Sequence, residues 1–333
     1  MRLLADAFGG DNAPLEILKG CAAAQKAYGY EITLVGDTQK IKACAEQEGL
    51  DLSGMKILHA DGVFSMEEQP TALLKAGRDS SMAVGLRALA EGRGDAFVSA
   101  GSTGALLVGA TFLVKRIRGV KRPALGAVMP TADKPFILVD TGANAEGSVP
   151  MLCCFAKLGD IYMRRVLGVE SPRVGLANIG TEASKGDTLR QETYRALSEM
   201  EGIRFIGNVE ARDIPLGAAD VVVADGFTGN ILLKTYEGVA KMMAGKIKAM
   251  FKKNPLTMLS YLGVKSGMAD FRRTLDYKQY GGAPILGVQK PVIKAHGSSD
   301  AYAFQSALRQ AAMCVEADVP EKIREAMQHD AAQ

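Results

Sequence analysis

The sequence is poor in the residues that mark several common classes of protein. Its 333 residues include no tryptophan, three histidines and five cysteines. An odd number of cysteines without a CxxC pair gives neither a disulfide framework nor a zinc site. The 40 basic and 37 acidic side chains nearly balance, so charge does not indicate a nucleic-acid-binding protein. We expect no nucleic-acid partner, no metal and no other cofactor.

The sequence also has little that would direct the chain into or across a membrane. The N-terminal residues MRLLADAFGG contain no basic region followed by an apolar stretch and a cleavage site, so we expect no signal peptide. The uncharged run Ala96–Val114 is long enough to span a bilayer. Serine, threonine and glycine interrupt it, which favours a strand, a loop and the start of a helix. We therefore predict a cytoplasmic protein.

Glycine is abundant, at 37 of 333 residues, whereas about 7% is usual. Short apolar runs end repeatedly in glycine or aspartate and are followed by amphipathic segments. This alternation predicts a three-layer α/β/α fold with a mostly parallel sheet, built as one large domain over 1–333 or as two lobes. The runs are Arg2–Ala5, Glu31–Val35, Lys56–His59, Ala96–Ser99, Ala124–Met129, Phe136–Asp140, Arg173–Ala177, Ile203–Ile206, Ala219–Ala224 and Val292–Ala295.

The segment Lys241–Arg273 differs from the rest of the chain. It contains eight basic residues and one acid, so it carries +7 and leaves −4 for the remainder. Methionine, leucine and aromatic residues are interleaved, and Asn254-Pro255 and Gly263 predict two helices joined by an apolar turn. A basic, methionine-rich helical pair suits a membrane surface or an acidic partner, although a solvated basic face over a core helix explains the same pattern. We assign a helical protrusion to 237–280.

The predicted strands end in loops of small and polar residues. The hydroxyls and glycine amides of Ser99–Ala105 are suited to an anion, and Lys185 is able to reach one as a point charge. Taken singly, each loop is also explained as an ordinary turn. Because ligands bind beyond the carboxyl ends of parallel strands, together the loops predict one pocket. The sequence matches neither GxGxxG nor a Walker loop, and it leaves open a Ser-His-Asp triad at His296 or a carboxylate-bound Mg²⁺ on Asp6, Asp11, Asp140 or Asp225.

Seven motifs in order along the chain resemble those of a known family. They are DAFGGDNAP (Asp6–Pro14), SAGSTGA (Ser99–Ala105), DTGAN (Asp140–Asn144), NIGTEASKG (Asn178–Gly186), DGFTGN (Asp225–Asn230), YGGAPILGV (Tyr280–Val288) and HGSS (His296–Ser299). The family is that of the bacterial phosphate acyltransferases of phospholipid synthesis (PlsX type). Three positions depart from its usual pattern, since methionine is usual at Phe8, asparagine at Ser102 and glycine at Lys290.

The resemblance implies an enzyme that makes acyl phosphate from inorganic phosphate and a long-chain thioester of acyl carrier protein. A membrane glycerol-3-phosphate acyltransferase would then consume the product in phosphatidic acid synthesis. The resemblance further implies a fold shared with phosphotransacetylases and with isocitrate and isopropylmalate dehydrogenases. It implies a homodimer that touches the inner face of the membrane through a helical tip, which here corresponds to Leu256, Met258, Leu259 and Leu262.

The family's active-site lysine and asparagine correspond to Lys185 and Asn230. We expect phosphate itself to attack the thioester, with no acyl-enzyme. Lys185 and the amides near Gly101–Gly104 would hold phosphate, Asn230 would donate to the thioester oxygen, and Asp225 and His296 would complete the catalytic set. The expected substrate-binding residues are Asp6, Gly9, Gly10, Ser99, Gly101, Ser102, Thr103, Gly104, Asp140, Asn144, Asn178, Thr181, Thr228, Gly229 and Ser298.

Three other functions stay open on the sequence alone. A phosphotransacetylase of the same fold would act on short acyl-CoA. A metal- and NAD-dependent decarboxylating dehydrogenase is disfavoured, because neither an arginine-rich substrate motif nor an aspartate trio is present. A non-catalytic protein of the membrane surface would bind acyl phosphate without turning it over.

Overall fold

The computed structural model describes residues 1–275 and 277–332, apart from the side chains of 262, 269–270, 272–275, 277–278 and 329–332. Within these residues the strands are β1 (Arg2–Asp6), β2 (Glu31–Gly36), β3 (Lys56–His59), β4 (Ala96–Ser99), β5 (Ala124–Met129), β6 (Phe136–Val139), β7 (Arg173–Asn178), β8 (Arg204–Glu210), β9 (Val221–Val223), β10 (Ala283–Leu286) and β11 (Val292–Lys294). The helices are α1 (Leu15–Tyr28), α2 (Thr38–Gln47), α3 (Ser81–Ala90), α4 (Thr103–Gly109), α5 (Val149–Arg165), α6 (Thr188–Ser198), α7 (Gly226–Phe251), α8 (Pro255–Leu275), α9 (Ala301–Glu316) and α10 (Val319–Ala332).

The strands form one sheet in the order β3-β2-β1-β4-β11-β10-β5-β6-β9-β7-β8. The first five are parallel to one another, and so are the last four. Three successive antiparallel pairings, β11–β10, β10–β5 and β5–β6, lie between these groups. Three reversals leave the two parallel halves pointing in opposite directions. The mostly parallel sheet is confirmed, but its carboxyl ends do not all meet at one edge.

Both faces of the sheet are covered, as the layered fold requires. Along β1, Leu3 and Ala5 belong to the apolar cluster with α1, α5 and α9, whereas Leu4 belongs to the cluster with α3 and α4. Successive side chains of a strand point to opposite faces, so the helices lie on two sides. The predicted three-layer α/β/α arrangement is confirmed.

One strand was not predicted. Residues Ala283–Leu286 form β10 at the centre of the sheet, inside the YGGAPILGV motif. The run is four residues long and contains Pro284, which weakens a strand signal. Its antiparallel direction also falls outside the strand–helix alternation used to find the other strands.

The two helices of the basic segment are longer than predicted. Helix α7 ends at Phe251, and Asn254 begins α8 by accepting a hydrogen bond from the Thr257 amide at 2.9 Å. The predicted break at Gly263 is wrong, because α8 continues through it to Leu275. Residues Leu256–Leu262 are therefore helical and do not form a turn. None of the described helices is both long and apolar enough to span a bilayer.

Candidate active site

A cavity of about 260 Å³ lies between one face of β5 and helix α7, at the centre of the sheet. The cavity connects loops of the two opposed halves, because it is lined by Thr103 after β4, His296 after β11 and Thr141 after β6. Its remaining polar lining includes Lys234, Glu237 and Lys294. The apolar lining is Met66, Leu125, Ala127, Val128, Met129, Pro130, Leu233, Tyr236, Ala240, Ala283 and Ala295.

Asp6 joins the loop after β1 to the loop after β4. Its carboxylate is buried and accepts hydrogen bonds from the hydroxyls of Ser81 and Ser99, both at 2.6 Å. Burial raises the pKa of Asp6, and the two serine hydrogen bonds oppose that rise. At Gly9, a Cβ atom would lie 2.7 Å from the Gly101 nitrogen, so only glycine allows this approach. Asp6, Ser99 and the two glycines therefore shape the loops.

The loop after β4 leads directly to the cavity. Ser99 Oγ accepts from the Gly101 amide at 3.0 Å, and Ser102 caps α4 by accepting from the Ala105 amide at 3.4 Å. Serine and asparagine are both good N-caps, which explains why Ser102 fits where the family usually has asparagine. Thr103 is the residue of this loop that lines the cavity, and Gly104 packs beside Pro70.

Asp140 holds the loop after β6. It is fully buried, and its two oxygens accept hydrogen bonds from the backbone amides of Leu125, Ala143 and Asn144 at 2.7–3.0 Å. The Asn144 side chain donates to Asp140 and, at 2.9 Å, to the Pro123 carbonyl. Burial raises the pKa of Asp140, whereas the amide hydrogen bonds lower it. The side chains of Asp140 and Asn144 thus form hydrogen bonds that hold this loop in place.

The first turn of α7 packs against the end of β6. Asp225 caps the helix by accepting from the Thr228 amide at 2.9 Å, and it also pairs with Arg190 of α6. Arg190 donates to the Thr228 hydroxyl at 3.0 Å as well. A Cβ atom at Gly229 would lie 1.8 Å from the Asp140 carbonyl oxygen, so this contact requires glycine. Asp225 and Thr228 therefore both contact Arg190, a cation that the sequence motifs did not indicate.

Asn230 and Lys185 lie apart from the buried part of the site. Asn230 is exposed on α7 beside Gly142. It is one turn before Lys234, which lines the cavity, so the two share a helix face. Lys185 is exposed in the loop after β7, where its carbonyl accepts from the Asn178 side chain at 3.1 Å.

A second groove runs beside that loop. It is lined by Ala177, Asn178, Ile179, Gly186, Asp187, Arg190, Ala211, Thr228 and Leu232. Thr181, in the same loop, is exposed. Of the predicted site residues, Thr103 and His296 line the cavity, and Asn178 and Thr228 line this groove. The other predicted residues that the structure describes line neither the cavity nor the groove.

His296 brings the loop after β11 to the cavity. The Ser298 amide donates to His296 Nδ1 at 3.2 Å, so the neutral ring carries its proton on Nε2. Burial and the nearby charge of Lys234 lower the pKa of His296, which favours that neutral form. Ser298 is exposed, and its carbonyl accepts from Asn12 at 3.3 Å. Gly10 lies against the carbonyl of Gly297, so the first and last loops of the sheet are joined.

Comparison with known proteins identifies the family. A family model described as "Fatty acid synthesis protein" matches residues 1–322. Proteins named phosphate acyltransferase from Acetivibrio thermocellus and Lysinibacillus sphaericus are 44% and 43% identical to this chain. The alignments cover 98% of this chain and 96% of the first protein, and 99% of this chain and 99% of the second. The chain belongs to the phosphate acyltransferase family. It is therefore an acyl-transferring enzyme.

Solved structures agree on the fold of this phosphate acyltransferase. A phosphotransacetylase from Streptococcus pyogenes superposes with a TM-score of 0.62 at 15% identity, covering 96% of this chain and 94% of the other. A branched-chain phosphotransacylase from Enterococcus faecalis gives 0.56 at 16% identity, over 95% and 100% of the two chains. A Salmonella typhimurium protein described as a 4-hydroxythreonine-4-phosphate dehydrogenase gives 0.54 at 14% identity, over 95% and 99%. The predicted likeness to phosphotransacetylases and dehydrogenases is confirmed at the level of fold.

Two cations of this phosphate acyltransferase were missed by the sequence analysis. Lys294 lies on β11, is 8% exposed and lines the cavity. Its signal was a lysine inside an apolar strand immediately before the HGSS motif. Arg190 follows the helix-capping Asp187 by three residues and had no distinguishing pattern. Among the described residues, no group of three His, Cys, Asp or Glu side chains is arranged to hold a metal ion.

Proposed function

We propose that this phosphate acyltransferase transfers a long-chain acyl group from acyl carrier protein to inorganic phosphate, and so supplies acyl phosphate for phosphatidic acid synthesis. The observation that carries the proposal is the cavity between β5 and α7, which is apolar along its walls and has two lysines, a histidine and two threonines among its lining residues. A fatty acyl chain is suited to the apolar walls, and phosphate and a thioester are suited to the polar groups.

The walls support an extended apolar ligand. Leu125, Ala127 and Met129 alternate along β5 and line the cavity together with Leu233 and Ala240 of α7. The Tyr236 hydroxyl donates to the Pro130 carbonyl at 2.6 Å, which fixes α7 against the end of β5. This arrangement favours a long chain over the acetyl group of a phosphotransacetylase.

The proposed reaction is a single displacement. A phosphate oxygen forms a bond to the thioester carbonyl carbon, the carbon–sulfur bond breaks, and the proton of hydrogen phosphate ends on the thiol of acyl carrier protein. The products are acyl phosphate and free thiol, so no side-chain nucleophile is needed. Among the described residues that line the cavity there is no cysteine. Burial also raises the pKa of the Cys314 thiol to about 12, which keeps that side chain unreactive.

The residue roles follow the motif assignments. Asn230 is proposed to donate to the thioester oxygen, because it lies one helical turn from Lys234 at the cavity. Lys185 is proposed to approach the phosphate from the exposed side, together with the amides of residues 101–104. His296 closes the cavity and presents Nε2–H as a donor. Asp140 and Asp225 position the loops that carry these groups.

The helices α7 and α8 support the proposed partners. They pack against each other, with the rings of Phe251 and Tyr261 5.2 Å apart, and they leave Leu256, Met258 and Leu259 58–76% exposed. The side chain of Leu262, the fourth predicted tip residue, lies outside the described part of the structure. We propose that this basic, apolar pair contacts acidic acyl carrier protein and the inner membrane face, where glycerol-3-phosphate acyltransferase takes the product. A cytoplasmic homodimer that associates peripherally with the membrane is part of the same proposal.

The test is an acyl-transfer assay on purified protein. Palmitoyl-acyl carrier protein and phosphate are supplied, and acyl phosphate is captured as its hydroxamate. We expect phosphate-dependent product from the wild type, a loss of at least tenfold in Lys185→Ala, and no change in Lys42→Ala, which alters an exposed lysine of α2. A wild type that is active only on acetyl-CoA would show a phosphotransacetylase instead. Absence of product from every thioester would indicate a binding protein.

A second measurement tests the single displacement. The enzyme is mixed with radiolabelled palmitoyl-acyl carrier protein without phosphate and quenched in acid. We expect no label on the enzyme, because the attacking group is phosphate. Label that survives denaturation and is discharged by phosphate would establish an acyl-enzyme and overturn the mechanism.

A further inference from the structure

Lys294 is a buried cation for which the roles argued above leave no function. It sits on β11 between apolar neighbours, is 8% exposed, and lines the cavity together with Thr103 and His296. Lysine is almost never this buried unless it is paired. Because Lys294 lines the cavity, a ligand bound there could be its partner.

Its hydrogen bonds are incomplete. The Nζ atom donates to the carbonyl of Ala100 at 3.3 Å and to the carbonyl of Ala295. An ammonium group has three donors, so one is left for another acceptor. The Ala100 carbonyl belongs to the SAGSTGA loop, which places Lys294 Nζ directly beneath that loop.

Its charge is also not neutralised by a contact. Within the described part of the chain, the contacts of Nζ are with carbonyl oxygens, and it forms no ion pair with a carboxylate. Asp6 and Asp11 are near enough to favour the charged form, whereas Lys234 opposes it, and burial disfavours it most of all. A buried ammonium without a paired anion is unfavourable. The unpaired charge of Lys294 therefore favours the binding of an anion at this position.

We propose that Lys294 binds the inorganic phosphate substrate inside the cavity, through a charge-assisted hydrogen bond from Nζ to a phosphate oxygen. Thr103 and His296 line the same cavity, and their side chains supply further donors. The assignment rests on the proposed function, because it names the group that holds one of its two substrates. Lys294 thus acts from the buried side of the cavity, whereas Lys185 acts from the exposed side.

The first test separates phosphate binding from acyl-donor binding. Lys294→Met keeps all but one atom of the side chain's length and removes its charge, and Lys290→Met is the matched control, since Lys290 is exposed four residues earlier. Loss of a charge-assisted hydrogen bond corresponds to roughly a 10- to 100-fold change. We expect the KM for phosphate to rise by that factor in Lys294→Met, with the KM for palmitoyl-acyl carrier protein within twofold of wild type. A phosphate KM that matches the Lys290→Met control would overturn the proposal.

The second test needs neither turnover nor a variant. The wild-type enzyme is treated with a lysine-selective acylating reagent, with and without inorganic phosphate, and the modified peptides are measured by mass spectrometry. We expect phosphate to protect Lys294 at least tenfold and to leave Lys290 unprotected. If Lys294 is modified equally in both samples, or is protected only by coenzyme A, the assignment to inorganic phosphate is wrong.

The two measurements distinguish this inference from the proposed function. Protection of Lys294 by phosphate in an enzyme that forms no acyl phosphate would leave the binding site standing and reject the reaction. Formation of acyl phosphate with an unprotected Lys294 would support the reaction and reject the role of this lysine.

Discussion

Helix α7 passes through two regions that are built in opposite ways. Its first turn packs on the end of β6, where Gly229 is buried and the Asp225 carboxylate accepts hydrogen bonds from the amide and hydroxyl of Thr228 and pairs with Arg190. Farther along, Met242 and Met250 are 54% and 56% exposed, and Leu259 of α8 is 64% exposed. Polar groups are thus buried in the first region, and apolar groups are exposed in the second.

The difference shows where each region obtains its stability. The buried carboxylates of the sheet are stable because backbone amides and hydroxyls of the same chain satisfy them. The apolar side chains of α7 and α8 contribute little burial within this chain. A cluster of exposed apolar groups marks a contact surface, which supports the proposed role at a membrane or acyl carrier. We therefore expect substitutions in the two regions to affect different measurements.

The sharpest comparison uses the same substitution twice in α7. Gly229→Ala would place a Cβ atom 1.8 Å from the Asp140 carbonyl, whereas Gly245 has nothing within 4 Å of that position. We expect Gly229→Ala to lower the free energy of unfolding by more than about 3 kcal/mol, because backbone must move. Gly245→Ala should raise it by about 1 kcal/mol through helix propensity. Urea unfolding measures both, and equal effects would contradict the contrast.

A smaller loss is expected at the loop after β6. Asp140→Asn replaces one acceptor oxygen with an amino group that faces the donors of Leu125, Ala143 and Asn144. A buried hydrogen-bond network broken in this way costs about 2–3 kcal/mol. Asp133→Asn, at an exposed position between β5 and β6, is the control and should change stability by less than about 0.5 kcal/mol. Thermal unfolding that fails to separate the two would show that Asp140 does not organise this loop.

The sequence predicted the layers well because their signals are local. Nine of the ten predicted strand runs agree with strands of the sheet to within two residues at each end, and Ile203–Ile206 marks the start of β8. Apolar runs followed by turn residues and amphipathic helices are sufficient to find such elements. The direction of each strand is not local, and the reversal at β10 and β5 could not be read from periodicity.

That reversal limits what the motifs could predict of the site. If all strands were parallel, every loop after a strand would reach one edge, and a single pocket would follow. In the structure, Lys185 lies in the loop after β7, whose residues Asn178 and Gly186 line the groove beside α6, whereas His296 lies at the cavity. The oxygens of Asp6 and Asp140, two of the expected substrate-binding residues, accept hydrogen bonds from Ser99 and from the loop after β6, which gives them a structural role that the motifs did not indicate. Only tertiary contacts distinguish a residue that builds a site from one that touches the ligand.

A third prediction concerns pH and belongs to the buried region. Burial lowers the pKa of Lys294 from 10.5 to about 8, with Lys234 adding to the decrease and Asp11 and Asp6 opposing it. Below about pH 8 the free site is charged and suited to phosphate. Above that pH the neutral amine predominates, so the KM for phosphate should rise about tenfold per pH unit.

The pH profile has an internal control. Phosphate and nearby His296 titrate in every variant, so the ratio of the phosphate KM in Lys294→Met to that in the wild type isolates Lys294. We expect this ratio of KM values to fall toward one as the pH rises from 7 to 10, and a ratio independent of pH would contradict the low pKa.

The low pKa of Lys294 also affects stability. Between pH 8 and 10.5 the Lys294 amine is protonated in the unfolded state but neutral in the folded state, so its charge destabilises the free folded protein below about pH 8. The Lys294→Met variant should therefore unfold at a higher temperature than the wild type at pH 7.

The smallest effect on stability is expected in α8. Leu259→Glu replaces an exposed leucine in the described part of the tip, so the free energy of unfolding should change by less than about 0.5 kcal/mol. Turnover of palmitoyl-acyl carrier protein in solution should fall less than liposome binding, because Leu259 does not line the cavity but belongs to the helix pair proposed to contact the acidic acyl carrier protein. Binding to liposomes that contain anionic lipid should fall at least tenfold, since an apolar contact is lost and a negative charge is added.

Ser266→Glu distinguishes these two causes. It adds the same charge to an exposed position of α8 without removing an apolar side chain. If apolar insertion drives binding, Ser266→Glu will retain most of the liposome affinity that Leu259→Glu loses. If both variants bind equally weakly, the attraction is electrostatic and depends on the basic residues of the pair. If neither variant binds liposomes more weakly than the wild type, the exposed apolar surface of α7 and α8 does not bind the membrane. We would then assign this surface to a contact in assembly.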